Sequence, residues 1–483
     1  MSSIVELIYN HSINNPNKLF IVDSNGTETT YAQAWNTICK IASTLKNIYH
    51  VLPTQRVMVE CNQNSIYLLV CFACELIEAI YIPTEANSSA DTLTNISIET
   101  DSSLWIYQHS THPLIKSISF NDLLNNIPTE EMCSMPTSDR ISQILFTTGT
   151  TGKSKGIAIS NKANIALAEN IMYGTNMQPD NVEIIPLPIS HSHGLRCCFA
   201  NILAGGTIVL INGLIRIDIF FQLLDKYKVT SIDISPNAAT ILLKLAKDKI
   251  KNYAQQLRYI QIGTAKLSEA LKEELVSTFP NTHLYNFYGS TESGRSCVLD
   301  FSLYTDKPNC IGLPTINSHI IFTDSNKQII NASSDNPGLL ASSGPMNMDY
   351  YWNADSLTNE VLVDGYIYTN DLGYTDDQGF VYLLGRNNDV INFNGIKIAP
   401  EEIESIAVQY SSVTDACCIP IITEAQNQIP KLFISVDSTN FNMTEFRSFL
   451  SKHIDSNKLP KQIEITSQIP RSTNGKLLRN KLK

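Results

Sequence analysis

The chain has 483 residues and a formal net charge of −11, with 43% hydrophobic and 17% charged residues. That balance excludes a disordered chain, and the acidity gives no reason to seek nucleic acid or an anionic membrane surface. The length suggests about three structural units, and an anionic substrate would have to be held by local donors.

The opening MSSIVELIYN lacks a basic segment followed by an apolar core, so no signal peptide is expected. Residues 31–45 show apolar positions at helical spacing, while 57–61 and 79–83 read as strands. Between these strands lies the most apolar stretch, 66–74, which is far too short to span a bilayer. It carries Cys71 and Cys74 at C-x-x-C spacing. The run is apolar all round, and no second cysteine pair or histidine cluster completes a metal site. A buried helix is expected, not a redox or metal pair. Eleven cysteines without a framework fit a reducing, cytoplasmic setting.

Alternation continues from 157 to about 300. Helices are expected near 161–173, 193–203 and 217–227, and strands at 183–187, 207–211 and 230–234. From about 311 to 384 short strands such as HIIFTD, GLLASS and FVYLLG are separated by Asn, Asp, Gly and Pro. The segment 385–395, GRNNDVINFNG, has the polar look of a hinge. Beyond it, helices near 400–409 and 443–454 and strands at 413–422, 431–436 and 462–466 make a small α+β unit. Residues 387–483 hold eight Lys and three Arg against ten acids, and no acid follows Arg471. A basic tail of this kind suits a thiol donor that carries phosphates.

The expected fold class is α/β: a large N-terminal domain of layered α/β subdomains plus a β-rich subdomain, with a small mobile C-terminal α+β domain. The boundaries expected are 1–386 and 387–483.

Residues 144–156, ILFTTGTTGKSKG, carry the strongest chemical signal. Glycines let backbone N–H groups face a ligand, and hydroxyls and lysines add donors and positive charge, so the segment reads as a phosphate cradle. The string 147–154 almost fits G-x-x-x-x-G-K-[ST], ending in Gly152, Lys153 and Ser154, but Thr147 stands where the first Gly should be. Alone, it could be a P-loop, another phosphate site or a solvated loop.

Four further segments decide between these. They are PISHSHGL (188–195), NFYGSTESG (286–294), YIYTNDLGY (366–374) with GRNND (385–389), and PRSTNGK (470–476). In this order, with TTGTTGKSKG, they resemble the signature motifs of AMP-forming adenylating enzymes, the superfamily of acyl- and aryl-CoA synthetases, peptide-synthetase adenylation domains and firefly luciferase. The resemblance covers essentially the whole chain, and the P-loop reading falls away.

The resemblance implies a two-step reaction. A carboxylate attacks the α-phosphorus of ATP, expelling pyrophosphate and giving an acyl-AMP; a thiol then takes the acyl group and releases AMP. Thr147, Thr148, Gly149, Thr150, Thr151 and Lys155 would cover the β- and γ-phosphates. Ser154 replaces the family's usual Pro, which should loosen the loop. Thr291 would contact the α-phosphate, and Glu292 would help hold Mg²⁺, since a carboxylate plus phosphate oxygens is its usual environment. Asp371 would accept from the ribose hydroxyls, with Arg386 beside it. Asn370 departs from the family's Gly there and is expected to affect the local turn. Tyr288 would flank adenine, Asn286 would read its amino group, and Gly263, Thr264 and Ala265 would line it. Lys476 would bridge substrate carboxylate and α-phosphate, a task suited to a point charge on a flexible stem. Asp389 would be the hinge about which the small domain turns. His191 aligns with the family's acyl-site histidine, with His193 as the alternative.

No acid occurs in 188–195, where amino-acid-activating relatives place an Asp, which argues against an ordinary α-amino acid. Asp233 lies near in the family layout and reads as a structural strand-end residue. Phe287, where many ligases have Gly, should narrow the pocket and favour a short or medium acyl group. The thiol is expected to be CoA; the alternative is the phosphopantetheine of a carrier protein acting in trans. A non-catalytic nucleotide-binding protein is the reading from a different class.

Overall fold

A computed structural model of the chain describes residues 2–86, 88–109, 115–125, 134–148, 154–387, 391–393, 396–398, 400–422, 428–437, 441–454, 458–471 and 477–482. Among these residues two large sheets frame the N-terminal region. The first runs in the order Tyr350–Tyr351, Ser154–Ser160, Ile141–Thr148, Ile80–Glu85, Arg56–Cys61, Leu104–Tyr107, Ser117–Ser119. The second has a parallel half containing Leu19–Val22, Thr207–Leu210, Val182–Ile185, Ser231–Ile234, Tyr259–Ile262 and His283–Ser290.

The strands of the expected β-rich subdomain continue this second sheet. Gly294–Asp300 turns back antiparallel on His283–Ser290 and pairs with Cys310–Pro314. From there Val381–Arg386, Tyr366–Thr375, Gly338–Ser343 and His319–Thr323 follow, all antiparallel. The change from helical crossovers to short polar turns therefore marks a change of strand direction within one sheet.

Helices bind the two sheets. Ser65–Leu76, Asn161–Gly174 and Ser192–Ala204 share one apolar cluster with Val57, Val59 and Tyr81 of the first sheet and Ile185, Ile208 and Leu210 of the second. Ser65–Leu76 is buried on every side except at Ile66, and Cys71 and Cys74 lie in it as free, buried thiols, as the apolar run predicts. Asn64 starts this helix by accepting from Tyr67 N–H. Thr30 and Gln33 form a capping box on Tyr31–Asn47.

The C-terminal unit has its own sheet, Val413–Ile422, Gln428–Val436 and Gln462–Ile465, covered by Pro400–Ala407 and Met443–His453. Its apolar cluster, built on Ile403, Leu432, Ile434, Phe446 and Leu450, is separate from those of the rest of the chain. Arg479 ties the tail to it through Glu401 and Glu404. No helix among the described residues is long and apolar enough to cross a membrane.

Candidate active site

Thr147, Thr148 and Lys155 of the cradle lie on two paired strands. Ile141–Thr148 and Ser154–Ser160 pair antiparallel, with Thr147 opposite Lys155 and Thr148 opposite Ser154. Gly149, Thr150 and Thr151 lie outside the described residues. Tyr350–Tyr351 pairs with the returning strand, and the Lys155 ammonium stands 5.6 Å from the centre of the Tyr351 ring.

Thr291 and Glu292 occupy the turn between His283–Ser290 and Gly294–Asp300. The turn requires glycine twice: a Cβ on Gly289 would stand 1.8 Å from the Gly294 carbonyl, and Gly294 has φ of +67°. Three contacts hold it from outside. The Thr291 hydroxyl lies 3.2 Å from the Ser192 hydroxyl. Arg196 donates to the carbonyls of Ser290 (3.0 Å) and Thr291 (2.8 Å). Tyr351 donates its hydroxyl to Glu292 Oε1 at 2.8 Å. Burial and the Glu292 charge push the Tyr351 hydroxyl pKa far up, so it remains a donor. Neither Arg196 nor Tyr351 was legible as a site residue in the sequence. Both reach the turn from distant segments, and neither belongs to the motif string that flanks it.

The nucleoside motifs also converge. Tyr288 donates to Asp371 Oδ2 across 83 residues of sequence, and Arg386 Nε donates to Asp371 Oδ1 at 3.2 Å from the neighbouring strand. A carboxylate has about four acceptor positions, so these two bonds leave capacity for ribose hydroxyls. Burial, then the Asp371 charge, raises the Tyr288 pKa well above its ordinary value. Asn370 takes φ of +61°, the left-handed region that Asn enters more easily than other residues with a Cβ. The departure from Gly is thus accommodated without disturbing Asp371. Thr264 has φ of +78°, an outlier for a β-branched residue, and its buried hydroxyl has no hydrogen-bond partner among the described residues. It follows Gly263, precedes Ala265 and lies at the end of Tyr259–Ile262, beside buried Asn286 of the next strand.

The two histidines part company. His191 precedes the helix Ser192–Ala204 and pairs with Glu85 at 2.8 Å, on the open side. His193 turns inward, bonds Asp233 at 2.8 Å and lies so close to the Gly263 backbone that a Cβ there would meet its ring at 2.4 Å. Burial lowers its pKa, and a neutral imidazole donating to the Asp233 carboxylate fits that position. Asp233 is fully buried in Ser231–Ile234, the structural role its sequence context suggests. Phe287 is buried with its ring under the Arg295 guanidinium and against Gly174. Lys476 and Asp389 lie outside the described residues; Arg471 and Leu477, on either side of the lysine loop, form an antiparallel bridge.

The site therefore combines cradle residues Thr147 and Lys155, a carboxylate at a tight turn, and an aromatic–carboxylate–guanidinium cluster drawn from three strands of one sheet. This is the architecture of an AMP-forming acid–thiol ligase. The chain belongs to the AMP-binding enzyme family: the model for that family matches residues 10–352, and the model for the AMP-binding enzyme C-terminal domain matches 402–476. It is 24% identical to the 4-coumarate–CoA ligase-like 3 of Arabidopsis thaliana, covering 96% of this chain and 89% of that protein. It is also 24% identical to the probable CoA ligase CCL5 of Humulus lupulus, covering 99% and 94%. Among solved structures, ATP-bound MatB from Rhodopseudomonas palustris superposes with a TM-score of 0.90 at 20% identity, over 100% of this chain and 98% of that one. O-succinylbenzoate coenzyme A synthetase from Bacillus subtilis, in complex with ATP and magnesium, gives 0.88 at 20% identity, over 99% and 98%.

Proposed function

We propose that the protein activates a short carboxylic acid with ATP and passes the acyl group to CoA. In the first step a substrate carboxylate oxygen attacks the α-phosphorus, the bond to the β-phosphate bridge breaks, and pyrophosphate leaves. In the second the thiol sulfur attacks the acyl carbonyl and AMP leaves. Both reactants of the first step are anionic, so positioning and charge neutralisation carry the catalysis. The observation that carries this reading is the meeting of Tyr288, Asp371 and Arg386 from three strands, the Tyr288 strand leading into the turn of Thr291 and Glu292.

Asp371 and Arg386 hold the ribose, with Tyr288, Asn286 and residues 263–265 around adenine. Thr147, Thr148, Gly149, Thr150, Thr151 and Lys155 cover the departing phosphates. Thr291 positions the α-phosphate. Glu292 fits a magnesium ion: one oxygen is taken by Tyr351, and Oε2 has no hydrogen-bond partner among the described residues. A magnesium ion bound there would neutralise phosphate charge. Lys476 joins the acid to the α-phosphate, and residues 387–483 turn about Asp389 between the steps.

Phe287, where many ligases have Gly, and His193 against the Gly263 backbone support a short or medium acyl group. The basic tail and the relatives that bear CoA-ligase names support CoA as the thiol. The test is ATP–pyrophosphate exchange over a panel of acids, followed by AMP release with CoA or a phosphopantetheinylated carrier protein. Exchange is expected with short acids, and AMP release with CoA. Lys476→Ala should abolish exchange yet still transfer acyl from supplied acyl-AMP. No exchange with any acid would leave a non-catalytic nucleotide binder, and AMP release with the carrier alone would replace CoA.

A further inference from the structure

Tyr351 is a buried contact of the site from outside the motifs. It is 4% exposed. Its strand pairs with the cradle strand, Tyr351 standing opposite Ile157. Its backbone N–H donates to the Thr358 hydroxyl at 3.0 Å, which fixes the residue from behind. Its hydroxyl bonds Glu292, and its ring faces the Lys155 ammonium. Nearby, Met348 N–H donates to the Glu292 carbonyl at 2.7 Å, so the same segment holds backbone and side chain of the glutamate.

One aromatic side chain thus stands in contact with the cationic group of the cradle and the anionic group of the metal turn. Two opposite charges so placed would pair directly if the ring were missing. A direct Lys155–Glu292 pair would take the lysine from the phosphates and the carboxylate from a cation. The ring face holds the ammonium while the hydroxyl occupies one carboxylate oxygen and leaves the other for a cation.

Resting on the reading of Glu292 and Lys155 given above, we propose that Tyr351 is a positioning residue that sets divalent-cation affinity through its hydroxyl and keeps Lys155 and Glu292 apart through its ring. The two parts are separable. Tyr351→Phe removes the hydroxyl and keeps the ring. Tyr351→Leu removes both. Tyr350→Phe, on the adjacent residue that stacks on Trp352, serves as the control.

The experiment titrates Mn²⁺ into the full chain at saturating ATP, reading bound ion by electron paramagnetic resonance, beside Mg²⁺ titrations of pyrophosphate exchange and thermal melts. Tyr351→Phe should weaken Mn²⁺ binding about tenfold and raise the Mg²⁺ concentration for half-maximal exchange by about the same factor. Its kcat at saturating Mg²⁺ should stay within about threefold of wild type, because the chemistry is intact once the ion is bound. Tyr351→Leu should in addition raise KM for ATP about fivefold to tenfold, as Lys155 is drawn to Glu292. Tyr350→Phe should match wild type throughout. Wild-type Mn²⁺ affinity in Tyr351→Phe would overturn the hydroxyl's part, and an unchanged ATP KM in Tyr351→Leu would overturn the ring's part. If the wild-type protein itself binds no Mn²⁺ with ATP and exchanges with no acid, the proposed function fails instead, and that result is distinct from either.

Discussion

Arg196 grips the backbone of Thr291. From the helix Ser192–Ala204 its two terminal nitrogens reach the carbonyls of Thr291 and Ser290, 2.8 and 3.0 Å away. The guanidinium is 3% exposed, and burial, with Arg295 nearby, lowers its pKa to about 9. A buried charge of this kind is retained at a cost, which its two charge-assisted bonds offset.

Arg196→Lys keeps the charge but cannot span both carbonyls. We expect a loss of about 2 kcal/mol in stability, since one buried carbonyl is left unpaired. The kcat for pyrophosphate exchange should fall roughly a hundredfold through displacement of Thr291, with KM for the acid unchanged. Denaturant melts and exchange kinetics check both. An unchanged kcat would show that the fork serves folding alone.

Asp371→Asn keeps shape and removes charge from the cluster with Tyr288 and Arg386. KM for ATP should rise about tenfold to a hundredfold, the worth of one charge-assisted hydrogen bond. KM for the acid should not move. A rise confined to the acid would remove Asp371 from the nucleoside site.

The two histidines give a discriminating pair. His193 stands on the Gly263 backbone and His191 on Glu85. His193→Ala should therefore improve kcat/KM for acids one or two carbons longer by roughly tenfold, the usual worth of added methylenes in a pocket. His191→Ala should leave the chain-length optimum where it was. Reversal of these outcomes in an acid-length series would make His191 the pocket wall, as its alignment implies.

Glu183 predicts a pH dependence of stability. It is fully buried in Val182–Ile185, and burial, then the nearby Asp233 carboxylate, raises its pKa to about 8, against the opposing hydrogen bonds from Asn201 and Gln261. The folded state then holds a proton that the unfolded chain releases near pH 4.5. The associated stability is fully present below that pH and is lost as pH rises through about 8. The melting temperature of wild type should fall between pH 5 and 8 relative to Glu183→Gln. Parallel pH profiles for the two proteins would show that Glu183 does not titrate in this window.

Much of this molecule follows from local pattern. The helix expected at 217–227 is Ile217–Tyr227, and the strand expected at 413–422 is Val413–Ile422. Apolar periodicity and turn residues act within a few residues, so they are readable along the chain. The short strands expected from about 311 are present, but their union with the parallel sheet is non-local: Cys310–Pro314 joins Gly294–Asp300 by ladder bonds that no single strand can announce.

By itself the sequence determined the chemistry on offer: a Thr/Gly/Lys phosphate cradle, a carboxylate in a glycine-bounded turn, an Asp and an Arg for a sugar, and the order that marks the family. That Asn370 replaces Gly without disturbing the turn was settled by its left-handed φ of +61°, a region Asn enters more easily than other residues with a Cβ. Tertiary structure alone decided which histidine lies on the Gly263 strip, that Arg196 clasps the Thr291 turn, and that Tyr351 contacts both Lys155 and Glu292. Those relations join segments 59 to 95 residues apart or more, and only the packing of strands and helices from separate segments brings such side chains within reach.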